Sequence, residues 1–176
     1  MPLSLADGRT KVALLPTKPK NPLAPTVAEL NAGIDASCRI LSSDYTVGAT
    51  GSETVDEKPL CVEGNAVTFG ASNATIEFSA FRYFDAKGKA EASESDEIGD
   101  AVFQMLKEKG TRFWLYQRET SKKSTEPWEA GDEVDGFEAI ADNAQPGERT
   151  GYIKKKITGG YQDMWLNAVV AGDDVP

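Results

Sequence analysis

Apolar and polar positions alternate with a period of two over most of the chain. In 74–84, Ile76, Phe78, Ala80 and Phe84 are interleaved with Glu77, Ser79, Phe81 and Tyr83, the pattern of a half-buried strand. In 112–118, Phe113 and Leu115 fall on one face and Trp114 and Tyr116 on the other. Two apolar faces put this strand centrally between layers or at an interface. The same reading predicts strands over 10–15, 44–50, 53–57, 132–141, 151–158 and 161–170. Turn signals at Gly51-Ser52, Gly70 to Asn73, Asp85 to Gly88, Gly131-Asp132, Pro146-Gly147 and Gly159-Gly160 separate them. One stretch has helical spacing. Ile98, Ala101, Val102, Met105 and Leu106 form a single apolar stripe behind Ser95, an N-cap, with Asp96 and Glu97 in the first turn. Lys107 and Lys109 close the stripe and Gly110 stops it, predicting a helix over 95–109. Many strands and one amphipathic helix predict a mainly β fold: a sandwich or barrel of two packed antiparallel sheets with the helix on its flank.

The pattern also divides the chain. Residues 16–25 contain Pro16, Pro19, Pro22 and Pro25, which cannot donate ladder hydrogen bonds and favour an extended course. The expected organisation is an extended arm over 1–25, a β domain over 26–170 and a tail over 171–176. The arm lies on its own domain or reaches a neighbouring subunit. A hairpin over 38–61 would turn at Gly48 to Ser52 and bring Cys38 opposite Cys61, with a protruding tip over 44–57. That tip has few large apolar residues beyond Tyr45, Val47 and Val55, so it would be marginal alone and depend on a surface outside itself.

Charge sharpens this outline. The 176 residues carry 28 acidic and 19 basic side chains, a net charge of −9. Residues 1–25 hold four basic side chains (Arg9, Lys11, Lys18, Lys20) and one acidic, whereas 26–100 hold five basic and fourteen acidic. A basic arm on an acidic body lets copies attract one another end to side. The acidic balance argues against wrapping nucleic acid, which depends on clustered Lys and Arg. No stretch is apolar enough to insert in a membrane, and the start lacks the features of a secretory signal. Two cysteines make neither a disulfide scaffold nor a metal quartet; the expectation is synthesis in a reducing cytoplasm with both thiols free and buried.

Chemistry is sparse. There is no histidine, which removes the commonest general base and zinc ligand and the nucleophile arrangements built on it. No phosphate-binding glycine loop and no nucleophile elbow occur. Asp132, Glu133, Asp135 and Glu138 could suggest a hard-cation site but lack the loop spacing of one, and solvated strand acids are the plainer reading. Lys154-Lys155-Lys156, inside a β pattern, reads as a solvated or inter-subunit face. No catalytic, cofactor-binding or metal-binding residue is therefore expected, and no cofactor. A self-assembling structural protein leads. The alternative is a β-sandwich decoration or host-surface binding module, and a small-ligand barrel or histidine-free hydrolase trails both.

Several segments carry a resemblance. Leu30 to Leu41, Asp44-Tyr45, Ala49 to Ser52, Leu60 to Gly70, Lys109 to Leu115, Gly131 to Val134 and Gly151 to Lys155 resemble, in order and spacing, the major tail tube proteins of long-tailed, siphovirus-type bacteriophages, particularly those of actinobacteria. The resemblance covers most of the chain, although no single motif is diagnostic. It implies two packed β-sheets with a flanking helix, and hexameric rings stacked into a hollow tube that conducts the genome into the host. It also implies assembly in the bacterial cytoplasm, residence in the virion tail, and the tape-measure, tail-terminator and distal tail proteins as partners. DNA would pass through without specific binding. On this reading Arg9, Lys11, Pro16, Lys18, Pro19, Lys20 and Pro22 form an inter-subunit arm. Asp44, Tyr45, Val47, Thr50 and Val55 form an inter-ring hairpin. Glu77, Asp132, Glu133, Asp135 and Glu138 include lumen-facing acids that repel phosphate.

Overall fold

In the computed structural model, residues 5–55, 57–61, 63, 64, 67–91 and 99–172 are described. The chain is mainly β, as its alternation predicts. Strands β1 (Thr10–Leu15), β2 (Ile34–Asp35), β3 (Thr46–Thr50), β6 (Asn73–Phe81), β7 (Arg112–Glu119), β8 (Glu133–Ala141) and β10 (Lys154–Val169) follow one hydrogen-bonded path, β2-β1-β7-β8-β10-β6-β3. The short β9 (Gln145–Pro146) pairs with β10. All pairings between these strands are antiparallel. A separate two-stranded ribbon, β4 (Thr54–Val55) with β5 (Thr68–Phe69), extends the β3–β6 hairpin.

The sixteen-residue β10 makes two layers from one path. Its first part, Lys154 to Thr158, pairs with β6, and its remainder, Gly159 to Val169, pairs with β8. Gly159-Gly160 is therefore not the turn its composition suggests. The strand passes straight through, and glycine is needed at the crossing because a Cβ on Gly159 would stand 2.9 Å from Ile76, 3.0 Å from Ala139 and 3.1 Å from Phe113. Those three side chains come from the two facing layers and close the main core with Val12, Leu14, Phe78, Leu115, Phe137 and Ile157. Two irregularities follow along β10, and Asn167 takes a left-handed φ of 55° at the second, a conformation asparagine tolerates better than most residues.

The opposite face of the β1-β7-β8 sheet is buried as well. Ala13, Leu15, Trp114, Tyr116 and Val134 pack there beneath Leu30 and Trp128. Leu30 belongs to helix α1 (Val27–Ala32), which the period-two reading passed over although its start is written in the sequence. Thr26 and Glu29 form a reciprocal capping box, with the Glu29 backbone N–H donating to Thr26 Oγ1 and the Thr26 N–H donating to Glu29 Oε2. Of the two arrangements open for 112–118, the structure shows a central strand between two layers.

Several expectations need correction. Thr10 to Leu15, inside the stretch expected to be an arm, is an inner strand held between β2 and β7, while 16–25 lies outside the sheet. The hairpin turns later than the sequence suggested. Val47 pairs with Ile76 and Thr50 with Asn73, because that register sends Ile76, Phe78 and Ala80 into the core. Cys38 and Cys61 consequently do not face each other, and both thiols are exposed. Phe84 lies beyond β6 and is exposed. The helix is seen as α2 (Ala101–Leu106), with Val102 and Leu106 buried; Ser95 and Ile98 fall outside the described residues. In place of a side-chain cap on the backbone, Asp100 accepts hydrogen bonds from Arg82 Nε at 2.8 Å, Gln104 Nε2 at 2.8 Å and the Tyr83 N–H at 3.1 Å. This buried knot anchors α2 to the end of β6.

Candidate assembly surfaces

The proline segment 16–25 is laid across its own domain. Tyr116, whose ring covers Gly136 on the neighbouring strand, donates its hydroxyl to the Pro22 carbonyl at 3.0 Å. Burial and nearby Glu29 and Glu138 push that phenol's pKa up, so it stays a donor at any physiological pH. Further on, the Val169 N–H donates to the Leu23 carbonyl and the Ala171 N–H to the Pro25 carbonyl, so the strap clamps the end of β10. Lys18 stands 4.9 Å over the Trp165 ring and 3.4 Å from Glu138. Pro19 is buried, Pro16 and Lys20 are exposed, and Arg9 is half-exposed at the turn into β1. Lys11, expected on the arm, is buried and paired with Asp35 at 2.9 Å.

The acids expected in a channel fall into distinct environments. Alternation along β8 sends Glu133 and Asp135 to one face and Asp132 and Glu138 to the other, so they form no single cluster. Asp132 is buried against Arg118 (2.7 Å) and Lys122 (2.6 Å). Desolvation opposes its charge, but hydrogen bonds from Lys122, the Glu129 backbone and Arg118 outweigh it and lower its pKa. Arg118 is itself wholly buried and donates to the carbonyls of Lys123, Glu126 and Pro127, which fixes the 120–132 loop over Trp128. Glu138 is likewise buried, beside Arg112 and Lys18; burial alone would raise its pKa, and the polar neighbours Trp114, Arg112 and Lys18 bring it below the ordinary value. Glu77 pairs with Lys156 at 2.8 Å. Glu133 and Asp135 remain, lining with Glu119 a depression of about 200 Å³ that contains no basic residue. The sequence reading missed Arg118; an arginine on the same strand face as Trp114 and Tyr116 was the available signal.

The predicted hairpin residues divide too. Asp44 accepts from the Ser79 hydroxyl at 2.8 Å, Tyr45 donates to Gln117 at 2.6 Å, and Val47 packs on the core. These three hold β3 to the body. Thr50 and Val55 lie where the chain leaves it, and the ribbon beyond carries Val55, Leu60, Val67 and Phe69 in the open, Phe69 at 72% exposure.

Among the described residues no group of three acids or cysteines is arranged to hold a metal ion, and no helix is long and apolar enough to cross a membrane. A cavity of about 440 Å³ opens between the N-terminal turn and the start of β3, and Ser37, Ser42, Ser124 and Asp7 contribute to its polar wall. Ser37 donates to Asp35 at 2.6 Å and accepts from the Val12 N–H at 3.0 Å, a structural brace.

A comparison with curated proteins finds no match. The family described as phage tail tube protein matches residues 1–173. With nearly the whole chain matched, the sandwich, strap and projecting ribbon have an assembly context: the chain belongs to the phage tail tube protein family, a structural component of the bacteriophage tail.

Proposed function

We propose that copies of this chain close into hexameric rings, that the rings stack into a hollow tube, and that the viral genome passes through it into the host. The observation that carries the reading is the β4–β5 ribbon. A two-stranded ribbon with its large apolar residues, Val55, Leu60, Val67 and Phe69, in the open is marginal alone, and several exposed apolar side chains on one short segment point to an interaction site. Neighbouring copies supply the missing cover. Since Lys11, Lys18 and Pro19 are engaged inside the protomer, the arm's outward contribution falls to Arg9, Pro16 and Lys20. Asp132, Glu138 and Glu77 are spent on cations of their own protomer, so Glu133 and Asp135 are the acids that turn the channel wall away from phosphate. The tube surrounds a tape-measure protein and ends on terminator and distal tail proteins.

Purified chain concentrated at neutral pH tests this by negative-stain microscopy and sedimentation. Tubes of stacked six-fold rings are the expected result. Protein that stays as single protomers, with or without tail-tip complexes to nucleate it, overturns the reading.

A further inference from the structure

β6 has different chemistry at its two ends. Its first residue, Asn73, pairs with Thr50 at the root of the ribbon. Just past its last residue, Phe81, the Arg82 N–H donates to the Ile153 carbonyl, which ties the 147–155 loop to the opposite end. Nine residues of strand set the two features about 26 Å apart. Between them, the ends hold seven of the eleven large apolar side chains exposed among the described residues: Val55, Leu60, Val67 and Phe69 on the ribbon, and Tyr152, Ile153 and Phe84 at the loop end. Tyr152 is 81% exposed although its ring is steadied edge-on by Phe81 at 5.9 Å.

Charge separates them further. Among its described residues, the ribbon segment carries Glu53, Glu57 and Glu63 against Lys58. The loop carries Arg149, Lys154 and Lys155 against Glu148, and Arg149, Tyr152, Ile153 and Lys155 line one shallow depression of about 340 Å³. An acidic apolar projection at one end and a basic apolar seat at the other are complementary in both respects. Because the two surfaces differ, their contact is heterologous and repeats head to tail.

We propose that the ribbon of one copy docks on the 147–155 loop of a second copy, and that this contact joins successive rings. The inference rests on the tail tube reading and assigns the receiving surface. Leu60 and Phe69 supply apolar cover for Tyr152 and Ile153, while Glu57 and Glu63 face Arg149 and Lys155.

Charge reversal tests it on the full-length protein. One variant carries Arg149→Glu with Lys155→Glu, a second Glu57→Lys with Glu63→Lys, and a third all four changes. Each pairwise variant should melt like the wild type and fail to form tubes where the wild type forms them, and the fourfold variant should regain them. Should a reversal prevent folding, Arg149→Gln with Lys155→Gln replaces it and should raise the concentration needed for tubes about tenfold or more. Tubes from either pairwise variant at the wild-type concentration, no recovery in the fourfold variant, or an unchanged threshold in the neutral one would each overturn the contact while leaving the tail tube reading intact. Loss in the loop variant alone would give that loop to another partner and overturn the contact too. A wild type that never assembles removes the reading and the contact with it.

Discussion

The β1-β7-β8 sheet and the β4–β5 ribbon are opposite solutions within one chain. The sheet is buried on both faces, and its buried charged residues, Lys11, Arg118 and Glu138, are each matched by an opposite charge. The ribbon leaves its apolar side chains uncovered. The difference teaches where stability is made and where it is withheld: the sheet holds the protomer together, and in the assembly proposed above the ribbon's surface contributes when another surface meets it. Substitutions in the sheet should therefore be read in the unfolding of the protomer, and substitutions in the ribbon in assembly.

The largest effect should come from Arg118→Ala. It removes the donor for Asp132 and three carbonyls, and breaking a buried pair of this kind costs about 3–5 kcal/mol; denaturant unfolding of the protomer measures it. A loss under about 1 kcal/mol would mean the 120–132 loop does not depend on this side chain. Next, Gly159→Ala puts a methyl into the β10 crossing, an overpacking cost of about 1–3 kcal/mol. A variant as stable as the wild type would show that the layers can part at that point. Acid should act more diffusely. Asp35, Asp132 and Glu138 have lowered pKa values in the folded chain, so the unfolded chain takes up protons first as pH falls. Their contribution is complete above the unfolded carboxylate range, about 4, and is lost as pH drops through the folded values. Melting temperatures should be flat from pH 7 to about 5 and decline below about 4 as far as these groups are concerned. Replacing Glu138 by Gln should flatten that decline. The smallest effect on the protomer belongs to Leu60→Ser, within about 0.5 kcal/mol, yet it should impair tube formation in sedimentation assays. Tubes at the wild-type threshold would erase the distinction between the two regions.

The sheet was the more legible of the two, for a physical reason. Ile76, Phe78 and Ala80 announce a face because burial selects every second residue, and Phe113 to Tyr116 announce two. Gly159-Gly160 misled because turn chemistry and a tight layer crossing both call for glycine, and only the atoms of Ile76, Ala139 and Phe113 decide between them. The hairpin register was misjudged because symmetry about a turn-like stretch says nothing about which residues the core will accept. Charge alone could not reveal that Asp132 and Glu138 have partners on distant segments, since Arg118 and Lys18 meet them only through the fold. The ribbon offered little periodicity to read, and its large apolar side chains Val55, Leu60, Val67 and Phe69 are exposed.

β10 has a mechanical consequence. Because a single unbroken length of backbone serves both layers, a shear that would slide one layer over the other must stretch covalent bonds as well as peel hydrogen bonds. Load entering at the Tyr152 end and leaving near the strap at Val169 thus travels along one continuous chain, and a column of such units would resist elongation without any added crosslink.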